Sequence, residues 1–241
     1  MKAFAVPAKP PSAAAIPTTA TARELAGTYR LFAQLGWHDL IYNQITARVP
    51  GTEKFLINPF GLMYREVTAS NLLKIDLHGH KVEPSPYSTN PAGFAVHTHT
   101  TAGQVVSCQR DGLLPLSFTS VFYTGRLAYH DFEGITLERE QSQRLAADLG
   151  RSNVMILRNH GLLVCGASIA DAFADHYLLQ RACEVQFAAQ ATGAALIQPS
   201  NDIATHAAEQ FDLSARKGDQ NRMLFDAMLR WTLELNPDFC R

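Results

Sequence analysis

His97 and His99, two histidines separated by one residue, have the spacing of a metal-ligand pair. They end the segment 95–99, which is predicted to be a short strand. Residues i and i+2 of a strand point to the same face, so the two imidazoles would converge. A predicted helix follows, and ligands often bind at such strand ends. An exposed strand with alternating polar residues would show the same spacing, so the pattern alone leaves both readings open.

His160 is the best candidate for a third ligand. It lies in a tight turn between two apolar segments, 154–157 and 162–164. Gly161 would supply backbone freedom and let another group come close, and Asn159 could hydrogen-bond the turn or a ligand. Three neutral imidazoles with an open fourth position are typical of catalytic zinc sites. Because Mn, Fe, Co and Ni also accept imidazole, the sequence predicts one divalent metal ion, with zinc favoured.

The remaining histidines differ in their surroundings. His78 and His80 flank a turn glycine and are expected to be solvated, and His176, in the middle of a predicted helix, is expected to pack or face solvent. His130 is followed by Asp131 and Glu133, in a segment that also holds aromatic residues. Titratable groups cluster there, so this segment is a further candidate for the site.

Helices and strands alternate along the chain. A capping box at Thr21 predicts a helix that runs to Gly36, and Ser168 is predicted to cap a long amphipathic helix over 169–191. Other predicted helices cover 100–110, 138–149 and much of the chain after 200, and further strands cover 45–49, 54–57 and 73–77. Several strands join by short turns, which favours a mixed or antiparallel sheet with helices on its faces.

Composition limits the classes of partner. The 241 residues are 46% apolar, enough for one domain with a core, and the net charge of −1 gives no reason to expect nucleic acid or anionic lipid. No apolar run approaches the ~20 residues that span a bilayer, so no membrane partner is expected. Residues 1–20, rich in Pro and Ala, predict a flexible tail, or an arm on a neighbouring subunit, before one domain over 21–241. The four cysteines lack disulfide or metal spacing, which favours a cytoplasmic protein.

Six stretches together resemble the class II aldolase/adducin family. They are DLIYNQITAR (39–48), LINPFGL (56–62), NPAGF (90–94), VHTHT (96–100), AYHDFEG (128–134) and LRNHG (157–161). The resemblance spans roughly residues 20–235. It implies a three-layer α/β/α fold of the α/β class with a central mixed, largely antiparallel sheet, and a homotetramer with sites between subunits. It also implies that His97, His99 and His160 bind zinc, that Asn43 lies near the substrate, and that Gly61 belongs to the phosphate-side loop.

The sequence departs from the family's aldolases at several positions. Their acid/base glutamate aligns with Gly93, their phosphate-binding serines with Pro91 and Ala92, and a tyrosine with a position near Thr119. The NPAGF stretch instead resembles the adducin-like branch, which includes decarboxylases of hydroxylated aromatic acids and the adducin head domains. Relatives also place a helix before the H-x-H strand, whereas here Phe94 is followed at once by Ala95. Either the protein lacks that helix, or the sequence omits residues at this junction.

These observations predict a metal-dependent lyase that cleaves or forms a carbon–carbon bond, by aldol-type reaction or decarboxylation, through a metal-stabilised enolate. The substrate would be a small molecule with adjacent hydroxyl and carbonyl or carboxylate oxygens. Because Gly93 cannot transfer a proton, the candidate acid/base residues are Tyr123, His130, Asp131 and Glu133, with metal-bound water as the alternative. The competing hypothesis is a non-catalytic, adducin-like binding module.

Overall fold

The first helix shows how capping residues set the ends of an element. The structure is a computed structural model, and it describes residues 19–89, 95–134, 139–215 and 219–241. Helix α1 (Ala20–Leu35) begins after Thr19, whose side chain accepts a hydrogen bond from the Ala22 N–H, and ends at Gly36 with φ of 72°. The end at Gly36 agrees with the sequence. The predicted cap at Thr21 is wrong, because the helix begins two residues earlier.

A five-stranded mixed sheet forms the centre of the fold, with the strand order β1-β5-β8-β7-β6. Three of its four pairings are antiparallel, and β6 and β7 are parallel. A mixed sheet accompanied by helices agrees with the sequence-based prediction. Its strands are β1 (Gln44–Ile45), β5 (Val96–Thr98), β6 (Leu127–His130), β7 (Val154–Leu157) and β8 (Gly161–Val164).

A second sheet is antiparallel and has the strand order β2-β3-β4. Its strands come between β1 and β5 along the chain. It consists of β2 (Ala47–Arg48), β3 (Phe55–Ile57) and β4 (Leu73–Ile75). The single strand predicted over 45–49 is therefore wrong. Ile45 pairs with Val96 in the large sheet, whereas Ala47 pairs with Leu56 in the small one, so the chain changes sheets at Thr46.

Five more helices surround the strands. They are α2 (Thr101–Ser107), α3 (Arg139–Leu149), α4 (Ile169–Ala191), α5 (Asn201–Ala215) and α6 (Gln220–Leu235), with short 3-10 helices at Tyr64–Glu66, Ser120–Tyr123 and Pro237–Cys240. Ser168 caps α4 by accepting from the Asp171 N–H, as predicted. Helix α4 contacts α1, α2 and α6 and buries Phe173, Leu179 and Cys183 in the main core. None of the helices in the described ranges combines the length and apolarity needed to cross a bilayer.

Helix α2 packs very closely on the large sheet. A Cβ atom added to Gly103 would lie 2.8 Å from Cγ of Leu162 in β8, which explains a glycine inside a helix. The helix ends at Ser107, so the prediction that it continues to Arg110 is wrong by one turn. This contact holds the start of α2 against β8. Because β5 ends three residues before α2 begins, the end of β5 is held there as well.

Strand directions bring several chain segments to one edge of the large sheet. Strands β5, β6 and β7 run the same way, and β1 and β8 run opposite to them. The carboxyl ends of β5, β6 and β7 therefore lie at the same edge as the starts of β1 and β8. Asp39 and Asn43 precede β1, His99 follows β5, His130 ends β6 and His160 precedes β8.

Two predictions concern residues that the structure does not describe. Residues 1–18, which make up most of the predicted tail, lie outside the described ranges, and so does segment 90–94. The tail, Gly93 with its neighbours Pro91 and Ala92, and the junction between Phe94 and Ala95 therefore stay predictions.

Candidate metal centre

Because side chains alternate between the two faces of β5, His97 and His99 lie on the face opposite to the one that packs against α4. Thr98 is fully buried, and its Oγ1 lies 2.8 Å from Nε2 of His176 in α4. The Thr100 hydroxyl donates to Oε1 of Gln180, also in α4, over 2.6 Å. The threonines of the sequence VHTHT thus hold the strand against α4, which leaves His97 and His99 to point elsewhere. The structure also places His176 as a packing residue.

The turn between β7 and β8 brings His160 to the same place. Asn159, just before it, has φ of 56°, a left-handed conformation that asparagine tolerates better than most residues. A Cβ atom at Gly161 would lie only 2.2 Å from the carbonyl oxygen of Thr98. Glycine is therefore required for β8 to approach β5 this closely, and the close approach sets His160 beside His99.

Three Nε2 atoms converge on one point. Nε2 of His97 lies 2.8 Å from Nε2 of His99, which lies 2.9 Å from Nε2 of His160. Bonds of about 2.0–2.1 Å to a tetrahedral zinc ion would place such nitrogens about 3.4 Å apart. The two separations are about 0.5–0.6 Å shorter than in that arrangement, and one ring nitrogen from each of the three histidines lies within 4.8 Å of the other two. The structure therefore brings together the three predicted ligands, drawn from two distant parts of the chain.

The hydrogen bonds at the opposite ring nitrogens decide which Nε2 atoms can bind a cation. Nδ1 of His97 lies 2.9 Å from the carbonyl oxygen of Leu162, and Nδ1 of His99 lies 3.2 Å from Oδ2 of Asp39. Both oxygens only accept, so in the neutral form of each ring Nδ1 carries the proton and Nε2 presents a lone pair. Two lone pairs 2.8 Å apart repel each other unless a positive charge lies between them. The donor set therefore fits a divalent metal ion.

Two of the three rings, His97 and His160, do not carry a positive charge near neutral pH. Burial, reinforced by the neighbouring His99 and His160, lowers the pKa of His97 from 6.5 to about 3. Burial also lowers the pKa of His160, with a smaller contribution from His99. Both rings are thus neutral at pH 7, which is the form that binds metal ions.

Asp39 is a functional candidate that the sequence reasoning missed. Its carboxylate orients His99, as outer-shell carboxylates do for metal-bound imidazoles. The signal available was its position at the start of the matched stretch 39–48, but nothing local links it to a histidine 60 residues away. Leu40, next to it, has φ of 47°, an unfavourable conformation for leucine and one often found near functional sites.

The two predicted substrate-binding residues, Asn43 and Gly61, have different surroundings. Asn43 is fully buried, and its Oδ1 accepts from the Asp39 N–H over 2.8 Å, so it supports the turn that holds His99. Its Nδ2 has no hydrogen-bond partner among the described residues. Gly61 has φ of 96°, and a Cβ atom added there would meet nothing within 4 Å. None of the contacts described for Gly61 reaches the three histidines.

Three of the four predicted acid/base residues lie beside the metal centre. His130, Asp131 and Glu133 line a small cavity together with His160, and the ring of Phe132 lies 6.3 Å from that of His160. Tyr123 is elsewhere: its buried hydroxyl donates to the carbonyl oxygen of Asp175 over 2.8 Å. Burial, followed by the nearby Asp175 carboxylate, raises the pKa of Tyr123. The structure thus separates Tyr123 from the other three.

Comparison with known proteins places the chain in a family. The family model described as class II aldolase and adducin N-terminal domain matches residues 23–187. A Pseudomonas aeruginosa protein named for the class 2 aldolases is 48% identical, over 90% of each chain. The crystal structure of an aldolase II superfamily protein from Pseudomonas syringae superposes with a TM-score of 0.86 at 40% identity, covering 92% of this chain and 95% of that one.

The adducin branch is similar as well. Rat alpha-adducin is 43% identical over 68% of this chain, which matches only 25% of the adducin's own length. The family match over residues 23–187 includes all three histidines. The chain belongs to the class II aldolase and adducin family.

Proposed function

We propose that this protein is a metal-dependent lyase that cleaves or forms a carbon–carbon bond in a small hydroxy-carbonyl or hydroxy-acid substrate. The observation that carries the proposal is the convergence of three Nε2 atoms, at least two of which present lone pairs fixed by partners at Nδ1. Zinc is the favoured ion, and Mn, Fe, Co or Ni would also suit three imidazoles. Membership of a family that includes aldolases supports the reaction class.

Each residue of the centre has a role in this proposal. His97, His99 and His160 hold the ion, and Asp39 and the Leu162 carbonyl keep two of the rings in the required tautomer. The bound ion would act as a Lewis acid and stabilise the negative charge that bond cleavage leaves on a substrate oxygen. Three protein ligands leave the remaining positions for the substrate's adjacent oxygens.

The remaining residues of the site are proposed from their positions. Asn43 and Gly61 remain the proposed substrate-binding residues, and the buried Nδ2 of Asn43 is a donor still to be satisfied. Among Tyr123, His130, Asp131 and Glu133, the shared cavity with His160 favours the last three as proton-transfer groups. These assignments follow from position and require a bound substrate to test them.

The assembly and location of the protein are part of the same proposal. We propose a homotetramer of three-layer α/β/α subunits in the cytoplasm. Apolar side chains exposed on α6, including Met223 at 70% and Leu235 at 61% exposure, support burial against another subunit. The four cysteines are free thiols, as expected in a reducing compartment.

A non-catalytic, adducin-like module is the second candidate. The 43% identity to rat alpha-adducin favours it, as does the alignment of Gly93 with the acid/base glutamate of the aldolases. The two candidates differ in what the histidines do. A binding module has no need for three converging imidazoles, two of which have their tautomers set to receive a cation.

Metal analysis combined with a substrate panel tests the proposal. We expect about one Zn, Mn, Fe, Co or Ni per chain in protein purified without chelators, and turnover of at least one member of a panel of hydroxy-keto and hydroxy-aromatic acids. His97→Ala should remove both, whereas the matched control His78→Ala should keep both. A metal-free wild-type protein, or equal turnover in His97→Ala, would favour the binding module.

A further inference from the structure

We propose that His130 and Asp148 form an acid/base pair that exchanges a proton with the substrate held at the three histidines. This inference rests on the proposed lyase function and assigns the proton transfer that Gly93 cannot provide. Asp148 lies at the end of α3, outside the six stretches that resemble the family. Its role emerges only from the packing of α3 against β6.

The pair has the geometry of a base held by its orienting group. Nδ1 of His130 lies 2.6 Å from Oδ2 of Asp148, and the ring itself is 9% exposed. A carboxylate accepts, so Nδ1 carries the proton of the neutral ring and Nε2 presents the lone pair. The same logic holds in hydrolase triads, where an aspartate fixes the tautomer of the catalytic histidine.

The side chain of His130 lies in a cavity that His160 also lines, and its Nε2 is 4.0 Å from Oε2 of Glu133. His130 and His160 line one cavity, together with Leu157 and the exposed Phe132. The cavity measures about 10 Å³, close to the volume that one water molecule requires. General acid/base groups act either directly or through one water, and the cavity that His130 shares with His160 has room for such a water.

The neighbouring candidates are less suited to the role. Arg144 holds both oxygens of Glu133, with Nε 2.8 Å from Oε1 and Nη2 2.8 Å from Oε2. This hydrogen-bonded pairing lowers the pKa of Glu133, which makes it a weaker base. The hydroxyl of Tyr123 already donates to a backbone carbonyl, and Asp131 is exposed to solvent.

The proposed step conserves protons and electrons. In the cleavage direction, Nε2 of His130 removes the proton of the substrate hydroxyl, and the electron pair left on that oxygen forms a new C=O bond. The electrons of the breaking carbon–carbon bond form the C=C bond of an enolate, and the former carbonyl electrons move to its oxygen. The imidazolium then returns the proton to the carbon released. Asp148 stabilises the imidazolium while it exists.

The position of the ring proton provides a test that does not depend on the substrate. In uniformly ¹⁵N-labelled, zinc-loaded protein, two-bond ¹⁵N–¹H correlations should show the neutral form of the His130 ring with its proton on Nδ1. Asp148→Ala should move that proton toward Nε2. The matched control Asp76→Ala removes the carboxylate of the exposed pair with His80, and it should leave the His130 signals unchanged. A wild-type His130 protonated on Nε2 alone would overturn the assignment.

A second measurement tests catalysis. We expect zinc-loaded protein to exchange the carbon-bound protons of dihydroxyacetone with D₂O. His130→Gln should slow this exchange by about 10²–10⁴-fold, the usual contribution of acid/base catalysis, and Asp148→Asn should slow it by about 10-fold or more. Asp76→Ala should exchange at the wild-type rate. Equal rates in His130→Gln and wild type, including no exchange in either, would overturn the inference.

The controls separate this inference from the function on which it rests. If His97→Ala loses metal and exchange while His130→Gln keeps both, the lyase proposal stands and the pair fails. If wild-type protein binds no metal, the lyase proposal itself fails. The pH profile of the exchange will reflect all charged groups around His130: Asp148 and Arg144 from α3, Asp131 and Glu133 after β6, and Arg158 and His160 from the β7–β8 turn.

Discussion

The protein contains the H-x-H spacing twice, and only one copy forms part of a candidate metal centre. His78 and His80 flank Gly79 in a hairpin turn, where their ring centroids lie 6.0 Å apart. His97 and His99 lie at a strand end, with ring centroids 4.6 Å apart. The side chain of His80 is 77% exposed, against 16% for that of His99.

The difference between the two pairs arises from their tertiary neighbours. Asp76 accepts hydrogen bonds from the backbone N–H groups of His78 and His80, so it stabilises the turn. Its Oδ2 also lies 3.4 Å from Nδ1 of His80, but both histidines stay exposed. Around His97 and His99, the acceptors bind Nδ1 of each ring, and a third imidazole arrives from β8. The H-x-H spacing alone therefore does not make a metal site. The site also needs hydrogen-bond acceptors that orient both rings and a third ligand close by.

Removing a ligand from each pair should give the largest contrast. We expect His160→Ala to weaken zinc binding by more than about 100-fold, because even the outer-shell partners of metal ligands contribute about 10–100-fold. His80→Ala should leave the affinity unchanged. Competition with a chromophoric chelator measures both. Similar affinities in the two variants would mean that zinc binds elsewhere.

The second-largest contrast is expected between Gly161, in the turn that carries His160, and Gly79, in the turn between His78 and His80. Gly161→Ala would force a Cβ atom to within 2.2 Å of the Thr98 carbonyl oxygen, so we expect a loss of about 2–3 kcal/mol in the free energy of unfolding, together with weaker zinc binding. Gly79→Ala meets no atom within 4 Å and should cost only the strain of a positive φ, about 1–2 kcal/mol. Urea denaturation measures these energies. Normal zinc affinity in Gly161→Ala would show that the close approach of β8 and β5 is not needed for the site.

The third contrast is between two carboxylates, Asp39 beside His99 and Asp76 beside His80. Asp39→Ala removes the acceptor that orients His99, and we expect zinc affinity to fall by about 10-fold or somewhat more. Asp76→Ala should lower the stability of its hairpin without changing zinc affinity, because its carboxylate mainly serves backbone donors. Isothermal titration of the two variants with zinc makes the comparison. An unchanged affinity in Asp39→Ala would remove Asp39 from the site.

Local features of the sequence were enough to predict a large part of this structure. Gly36 and Ser168 mark helix ends through chemistry within a few residues, and the two-residue period of a strand sets His97 and His99 on one face. The turn at His160 was visible because apolar segments flank it. These features depend on neighbours in the sequence, which a single chain displays.

What the sequence did not reveal depends on pairing between distant residues. Asp39 with His99, Thr98 with His176 and His130 with Asp148 are joined only by tertiary packing. The transfer of the chain from one sheet to the other at Thr46 also depends on distant partners, because Ile45 pairs with Val96 and Ala47 pairs with Leu56. The placement of Tyr123 away from the site has the same origin.

The smallest expected effect is on the pH dependence of the free energy of unfolding, compared between the buried His176 and the exposed His78. Burial lowers the pKa of His176 from 6.5 to about 3, so below about pH 6.5 the unfolded chain binds a proton that the folded chain excludes. Stability must therefore fall as the pH drops from 6.5 toward 3. Between about pH 7 and about pH 5.5, metal-free wild-type protein should lose about 1 kcal/mol more than His176→Gln, which lacks the titrating ring.

His97 should contribute to the same acid-sensitive range in both proteins, since its pKa is also lowered to about 3, and its effect cancels in this comparison. His78→Gln, the exposed control, should follow the wild-type pH dependence in urea unfolding. If His176→Gln and wild type lose stability in parallel, His176 does not exclude a proton in the folded state. The support that Thr98 gives to the H-x-H strand would then have to come from a charged ring rather than a neutral one.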